Sequence, residues 1–166
     1  QLLALRRSEE AREISRALLG QLARFLRAAG QKRPAGGVPR YRLSLGVRAV
    51  GLRGDTLCGD CGTSFQCGVT QYVLLCDGMG TVSVAQSYSQ EAISVLQSLL
   101  TLGFDAMDAA AMLNELYVLR GDGCFSTVDL LEMDLCTGEG ALYKWGAAPS
   151  YLKKGGTVKK IGTASP

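Results

Sequence analysis

The chain has 166 residues, 47% of them apolar and 20% charged, which is enough for one domain with a buried core. No apolar run approaches the roughly 18 residues that cross a bilayer. The sequence contains no histidine, which excludes a His-ligated zinc site, an imidazole base and a Ser-His-Asp triad.

Charge is distributed unevenly along the chain. Residues 1–43 carry ten Lys/Arg and three Asp/Glu, whereas residues 44–166 carry eight and twelve, so a basic leader (net +7) precedes an acidic body (net −4). Glu9, Glu10 and Glu13 interrupt the basic run. A solvated helix face is therefore favoured over a lipid-binding or nucleic-acid-binding patch, and we expect no nucleic-acid partner.

The leader is predicted to form one amphipathic helix over residues 2–29. Ile14, Leu18, Leu22 and Phe25 repeat at helical spacing, and Gly30 ends the pattern. This apolar stripe needs a covering surface, either on the body or on a second copy of the chain. The Pro- and Gly-rich stretch that follows reads as a linker. The predicted organisation is a helix (1–30), a linker (31–40) and a body (41–166).

The body is predicted to be an α+β fold with antiparallel strands. Alternation from Leu43 to Ala49 predicts a first strand, and two apolar-rich helices follow the next two strands. Asp105 is a candidate N-cap for the second helix. The predicted helices cover about 83–101 and 105–119, and the remaining strands cover about 63–67, 71–76, 125–135, 140–146, 149–153 and 157–161.

Six cysteines are present, and none has the partners of a complete zinc site. Cys76 and Cys136 end apolar runs and are interpreted as small buried hydrophobic residues. Cys58-x-x-Cys61 has the spacing of half a zinc site but lacks a second pair. Reduced thiols are the favoured reading, with a zinc ribbon and a redox pair as alternatives.

Two aspartates beside glycine are the candidate functional residues. Asp60 follows Gly59, and Asp77 follows an apolar run and precedes Gly78. Carboxylates and a backbone carbonyl at a strand edge are the oxygen ligands that Mg²⁺ and Mn²⁺ prefer. We therefore expect Asp60 and Asp77 to face each other at one edge of the sheet.

The motifs resemble those of the PPM-type metal-dependent serine/threonine protein phosphatases, and within them the stage II sporulation protein E family. The resemblance covers about 45–165, and the motifs occur in the family's order. Val82 departs from the glycine usual in the family. The matching residues are Gly59-Asp60, Asp77-Gly78-Met79-Gly80, Ala85, Ser89, Asn114, Ser126 to Leu130, Asp134-Leu135, Gly138, Lys144, Gly146 to Ser150 and Lys153 to Gly155.

The resemblance implies a phosphatase-type α-β-β-α sandwich, of which this chain is the N-terminal part. Two further aspartate motifs are expected beyond Pro166. Two Mn²⁺ or Mg²⁺ ions would activate a water for phosphoprotein hydrolysis. Asp77 would bridge the ions, the carbonyl of Gly78 would bind one of them, and Asp60 would serve the other. No catalytic residue beyond these ligands is expected, and the residues that bind substrate stay undefined.

The resemblance also implies a substrate and a location. The substrate would be a phosphoserine protein of the anti-anti-sigma type, whose dephosphorylation activates a sporulation sigma factor, and this fragment alone would be inactive. The chain would form a cytoplasmic domain of a protein anchored in the cell membrane by other segments, with a homodimer through the N-terminal helix. The alternative is a non-catalytic phosphatase-like interaction module. Asp129 and Asp134 are expected on a solvated face or as loop caps.

Overall fold

The computed structural model describes residues 9, 12–20, 22–23, 37–51 and 58–162. Residues 12–20 and 22–23 are helical and form α1. The remaining elements are β1 (Asp60–Cys67), β2 (Thr70–Gly78), α2 (Val82–Thr101), α3 (Ala106–Arg120), β3 (Ser126–Asp134), β4 (Gly140–Trp145), β5 (Ser150–Lys154) and β6 (Thr157–Ile161). The predicted α+β class with antiparallel strands is confirmed.

The strands form two sheets. β1 to β4 make a four-stranded antiparallel sheet in that order, and β5 pairs with β6 in a separate hairpin. A turn at Gly68, whose φ of 59° favours glycine, joins β1 to β2. This tight turn sets the register, so that Asp60 lies opposite Asp77.

The two long helices cover one face of the four-stranded sheet. The residues that α2 buries recur every three or four positions, as the sequence predicts. Asp105 caps α3 by accepting a hydrogen bond from the backbone N–H of Asp108 at 2.8 Å, which confirms it as the N-cap. Gly121, with a φ of 67°, ends α3. The buried residues of α2 are Ala85, Ser89, Ala92, Leu96 and Leu100.

The core lies between these helices and the inner residues of β2 and β3. Alternate residues on each strand point into it, because strand side chains alternate between faces. The opposite face of the sheet is more open, and Leu75 there is 51% exposed. The principal core residues are Tyr72, Leu74, Cys76, Leu96, Leu100, Leu113, Val128 and Leu130.

The prediction of a strand from Leu43 to Ala49 is wrong, because the structure forms no strand there. Residues 37–51 have no regular secondary structure, and the backbone N–H groups of Arg40 and Tyr41 both donate to the carbonyl of Leu135. Alternation alone does not make a strand, since strand geometry needs a hydrogen-bonded neighbour, and none of the described strands pairs with this segment.

The predicted leader helix lies only partly within the described residues. Ile14 and Leu18 are half-buried and Leu22 is exposed, whereas Phe25 and the linker residues 31–36 lie outside the described part of the chain. Among the described residues, no helix combines the length and the apolar character that crossing a bilayer requires.

Candidate metal centre

Two carboxylates stand opposite each other where β1 begins and β2 ends. The structure extends β1 back to Asp60 and β2 forward to Gly78, so Asp60 and Asp77 are a registered pair rather than loop residues. Both are exposed and line an open pocket of about 430 Å³. Other lining residues are Val50, Gly51, Cys58, Gly59, Gly78, Gly80, Val82 and Ala85.

The two acids repel each other. Partial burial, followed by the neighbouring carboxyl of Asp60, raises the pKa of Asp77 above its ordinary value. Like charges placed directly opposite on an antiparallel pair destabilise it. The site therefore favours a bound proton or a cation between the two side chains.

Gly78 lies so close to α2 that no other residue fits. A Cβ at this position would lie 2.0 Å from the carbonyl oxygen of Ala85 and 2.7 Å from its carbonyl carbon. The contact fixes the first turn of α2 against the end of β2, and it leaves the backbone beside Asp77 without a side chain. A Cβ at Gly59 would likewise lie 3.0 Å from the Cβ of Ala85.

Ser89 joins α2 to the start of β1. Its side chain is fully buried, and its Oγ donates a hydrogen bond of 2.6 Å to the carbonyl of Gly59, next to Asp60. The sequence motifs include Ser89 but do not indicate this contact. A hydroxyl on an otherwise apolar helix face is the signal that points to such a bond, because buried hydroxyls need partners.

The donors present fit a hard divalent cation in kind but not in number. Asp60, Asp77 and the peptide carbonyl at Gly78 offer oxygen, which Mg²⁺ and Mn²⁺ prefer. Within the described part of the chain, no group of three or more histidine, cysteine, aspartate or glutamate side chains is placed to hold a metal ion. Two carboxylates alone leave most positions around such an ion to other ligands.

Two other acids from the sequence have different roles. Asp129 forms an ion pair with Lys144, whose Nζ also donates to the hydroxyl of Ser150 at 2.9 Å. Asp134 caps the turn after β3 by accepting from the backbone N–H groups of Cys136 (2.6 Å) and Thr137 (3.2 Å). Neither reaches the pocket around Asp60.

The six cysteines are all free thiols. Cys76 is fully buried, as predicted, but Cys136 is only half-buried, because it lies in the turn after β3 rather than in the core. Cys58 and Cys61 flank Asp60, and Cys58 lines the pocket.

Sequence relatives are proteins of sporulation. No protein-family model matches the chain. Stage II sporulation protein E of Bacillus subtilis (strain 168) is 32% identical over 128 residues, which are 76% of this chain and 16% of that protein. The protein of the same name from Priestia megaterium is 32% identical over 123 residues, 73% of this chain and 21% of that protein. The chain is homologous to stage II sporulation protein E.

Solved structures agree with this homology. The PP2C phosphatase domain of SpoIIE from Bacillus subtilis, solved with a fragment of its regulatory domain, superposes with a TM-score of 0.68 at 31% identity, covering 75% of this chain and 37% of that one. A structure of the RsbU and RsbW domains of Rv1364c from Mycobacterium tuberculosis contains a region of the same fold, which covers 68% of this chain and 33% of that one at 15% identity and a TM-score of 0.58. The resemblance to PPM-type phosphatases and the phosphatase-type fold are thereby confirmed. The chain spans about a sixth to a fifth of the length of the curated relatives that it matches.

Removing the Ser89 hydroxyl tests how the pocket is held. Ser89→Ala leaves the Gly59 carbonyl without its donor, and we expect the free energy of unfolding to fall by about 1–3 kcal/mol. The matched control is Ser98→Ala on the same helix, where an exposed hydroxyl donates to the Ser94 carbonyl at 2.7 Å. Its effect should stay within about 0.5 kcal/mol in the same denaturant titration. Equal effects of the two changes would show that the buried bond does not hold the pocket.

The repulsion between Asp60 and Asp77 predicts that neutralising one of the two side chains stabilises the metal-free fold. The pKa of Asp77 is higher in the folded state than its ordinary value of 3.8. The metal-free fold therefore loses stability as pH rises from the ordinary pKa through the raised, folded-state pKa. Asp77→Asn should therefore stabilise the metal-free protein at pH 7 by about 0.2–1 kcal/mol, and the gain should disappear below pH ~4.

Denaturant unfolding with a chelator present measures this difference at both pH values. Asp129→Asn is the control, and it should lower stability at pH 7 because it breaks the ion pair with Lys144. A loss of stability in Asp77→Asn at pH 7 would contradict the repulsion.

Proposed function

We propose that this chain is part of the catalytic domain of a metal-dependent protein-serine/threonine phosphatase. The observation that carries the proposal is the registered Asp60–Asp77 pair in an open pocket next to the bare backbone of Gly78. Homology to stage II sporulation protein E and the match to its PP2C phosphatase domain support it.

Asp77 would bridge two ions, Asp60 would serve one of them, and the carbonyl of Gly78 would complete this side of the site. Mn²⁺ or Mg²⁺ would supply Lewis-acid stabilisation of the phosphoryl group and a nucleophilic water near neutral pH. The fold contributes rigidity, because Ala85 and Ser89 fix Gly78 and Gly59 against α2. Pre-set ligand positions reduce the free-energy cost of ordering the ligands when the ions bind.

The proposed substrate is a phosphoserine protein of the anti-anti-sigma type, and its dephosphorylation would activate a sporulation sigma factor. The support is the sporulation role that the names of both curated relatives carry. We also propose that the chain acts in the cytoplasm, as a domain of a protein anchored to the membrane by other segments.

Neutralising the acid pair in the full natural polypeptide tests the activity. Asp77→Asn should lower Mn²⁺-dependent hydrolysis of a phosphoserine protein and of an aryl phosphate by at least about 100-fold, because the bridging charge is lost while the shape is kept. Glu139→Gln changes an exposed acid away from the pocket and should leave both rates unchanged.

Three outcomes of these assays separate the alternatives. Wild-type turnover in Asp77→Asn would rule out the bridging role. No turnover by the wild-type protein with any divalent metal would favour a non-catalytic interaction module. The 166-residue chain alone should show little turnover, because two carboxylates bind two ions weakly, and strong turnover by it would contradict the proposed need for further ligands.

We further propose that α1 joins two copies of the chain. Its apolar stripe includes Ile14 and Leu18, and Leu22 in the same stripe is 41% exposed. Isolated helices of this length are marginal in water, so the stripe needs a partner surface. A second copy of the chain carries the same apolar stripe, and in a two-fold symmetric dimer the two stripes cover each other.

Placing charges on the stripe tests this dimer. Leu18→Asp combined with Leu22→Asp should shift the protein to monomer in analytical ultracentrifugation while the body keeps its unfolding midpoint. Ala23→Asp puts the same charge on the opposite side of the helix and should leave the oligomeric state unchanged. Unfolding of the body in the double variant would assign the helix to the core instead.

A further inference from the structure

Two free thiols face each other one residue away from the acid pair. Cys61 on β1 lies directly opposite Cys76 on β2, and the next pair in the register is Asp60 with Asp77. None of the other free cysteines lies opposite a cysteine in the described strands: Cys67 faces Thr70, and Cys58, Cys124 and Cys136 lie outside the strands.

The register places Cys61 and Cys76 directly opposite each other on neighbouring strands. Directly opposite residues of an antiparallel pair point to the same face, with Cα atoms about 4.5–5.5 Å apart. A disulfide needs Cα atoms about 4.4–6.8 Å apart and Cβ atoms about 3.5–4.5 Å apart. The typical Cα separation of an opposite pair therefore suits a disulfide, whereas the Cβ atoms, typically about 4.5–5.5 Å apart, must move closer by about 1 Å for the bond to form.

The two thiols differ in solvent exposure, and this difference determines which sulfur an oxidant reaches first. Cys76 is fully buried beneath the helices, whereas Cys61 is half-buried at the start of β1. An oxidant in solution meets Cys61 first, and Cys76 is placed to resolve the oxidised sulfur.

We propose that Cys61 and Cys76 are a modification site that forms a reversible cross-strand disulfide with hydroperoxides. The sulfur of Cys61 attacks the peroxide, its S–O bond forms as the O–O bond breaks, and one water leaves. The sulfur of Cys76 then attacks the Cys61 sulfenic acid, the S–S bond forms, and a second water leaves. Two thiols and one hydrogen peroxide thus give one disulfide and two waters, and a dithiol reductant reverses the change.

The bond would act on the acid pair through the backbone. Side chains alternate along a strand, so the thiol pair faces the helices and the acid pair faces the other side of the sheet. A disulfide holds the two Cβ atoms at about 3.8 Å, closer than an unlinked pair. The adjacent Asp60–Asp77 pair must adjust, and we expect weaker binding of Mn²⁺. This consequence rests on the proposed function, whereas the disulfide itself does not.

Peptide mapping of the full natural polypeptide tests the bond. After treatment with hydrogen peroxide, digestion with chymotrypsin cleaves after Phe65 and Tyr72, so Cys61, Cys67 and Cys76 fall in separate peptides. We expect a linked pair containing Cys61 and Cys76 that dithiothreitol separates. The linked pair should be lost in Cys61→Ser and kept in Cys67→Ser and Cys58→Ser.

Two results would overturn the site. One is oxidation of Cys61 to sulfinic acid while Cys76 stays a free thiol. The other is a linked pair that survives Cys61→Ser and disappears in Cys58→Ser, which would assign the bond to Cys58.

Calorimetric titration with Mn²⁺ separates this proposal from the proposed function. Oxidised wild-type protein should bind at least tenfold more weakly than reduced protein, and peroxide should not change the affinity of Cys61→Ser. Equal affinity of the two wild-type forms would overturn the effect on the acid pair. A disulfide that forms in a protein whose reduced form does not bind Mn²⁺ would overturn the proposed function and confirm the modification site.

Discussion

The contact between Gly78 and Ala85 is the constraint on which the arrangement of the pocket depends. Because a Cβ at Gly78 would overlap the carbonyl of Ala85, the end of β2 and the first turn of α2 can approach this closely only with glycine there. That approach allows Ser89, one turn further along α2, to reach the carbonyl of Gly59. One helix thus holds both strands that carry the acids.

Rigidity at this end of the sheet has an electrostatic cost. The register that packs the core also places Asp60 opposite Asp77, where their charges repel. A fold that needed only stability would place a neutral or oppositely charged residue at one of the two positions, as it does where Asp129 meets Lys144. Retaining an unfavourable pair in an open pocket is typical of a site that binds a cation.

Sequence patterns predicted the elements that are stabilised by local signals. The two apolar-rich helices, the N-cap at Asp105 and the strands β1 and β2 all appear as expected, within a few residues. The strand from Leu43 to Ala49 was wrong because pairing depends on distant parts of the chain. The proximity of Asp60 and Asp77 could be predicted from the motif, but the bond from Ser89 could not, since it depends on how closely the helix approaches the sheet.

Strand alternation separates the two kinds of chemistry in this region. Cys61 and Cys76 face the buried side, next to the helices, while the acids one position away face the solvent. The thiols therefore cannot serve as ligands of a cation held between the acids, and the acids cannot activate the thiols by direct contact. Any influence of one pair on the other must pass through the backbone of β1 and β2. Since Gly78 and Gly59 already fix these strands to α2, even a small movement of the thiol pair would be transmitted to the acid pair rather than absorbed by the helix.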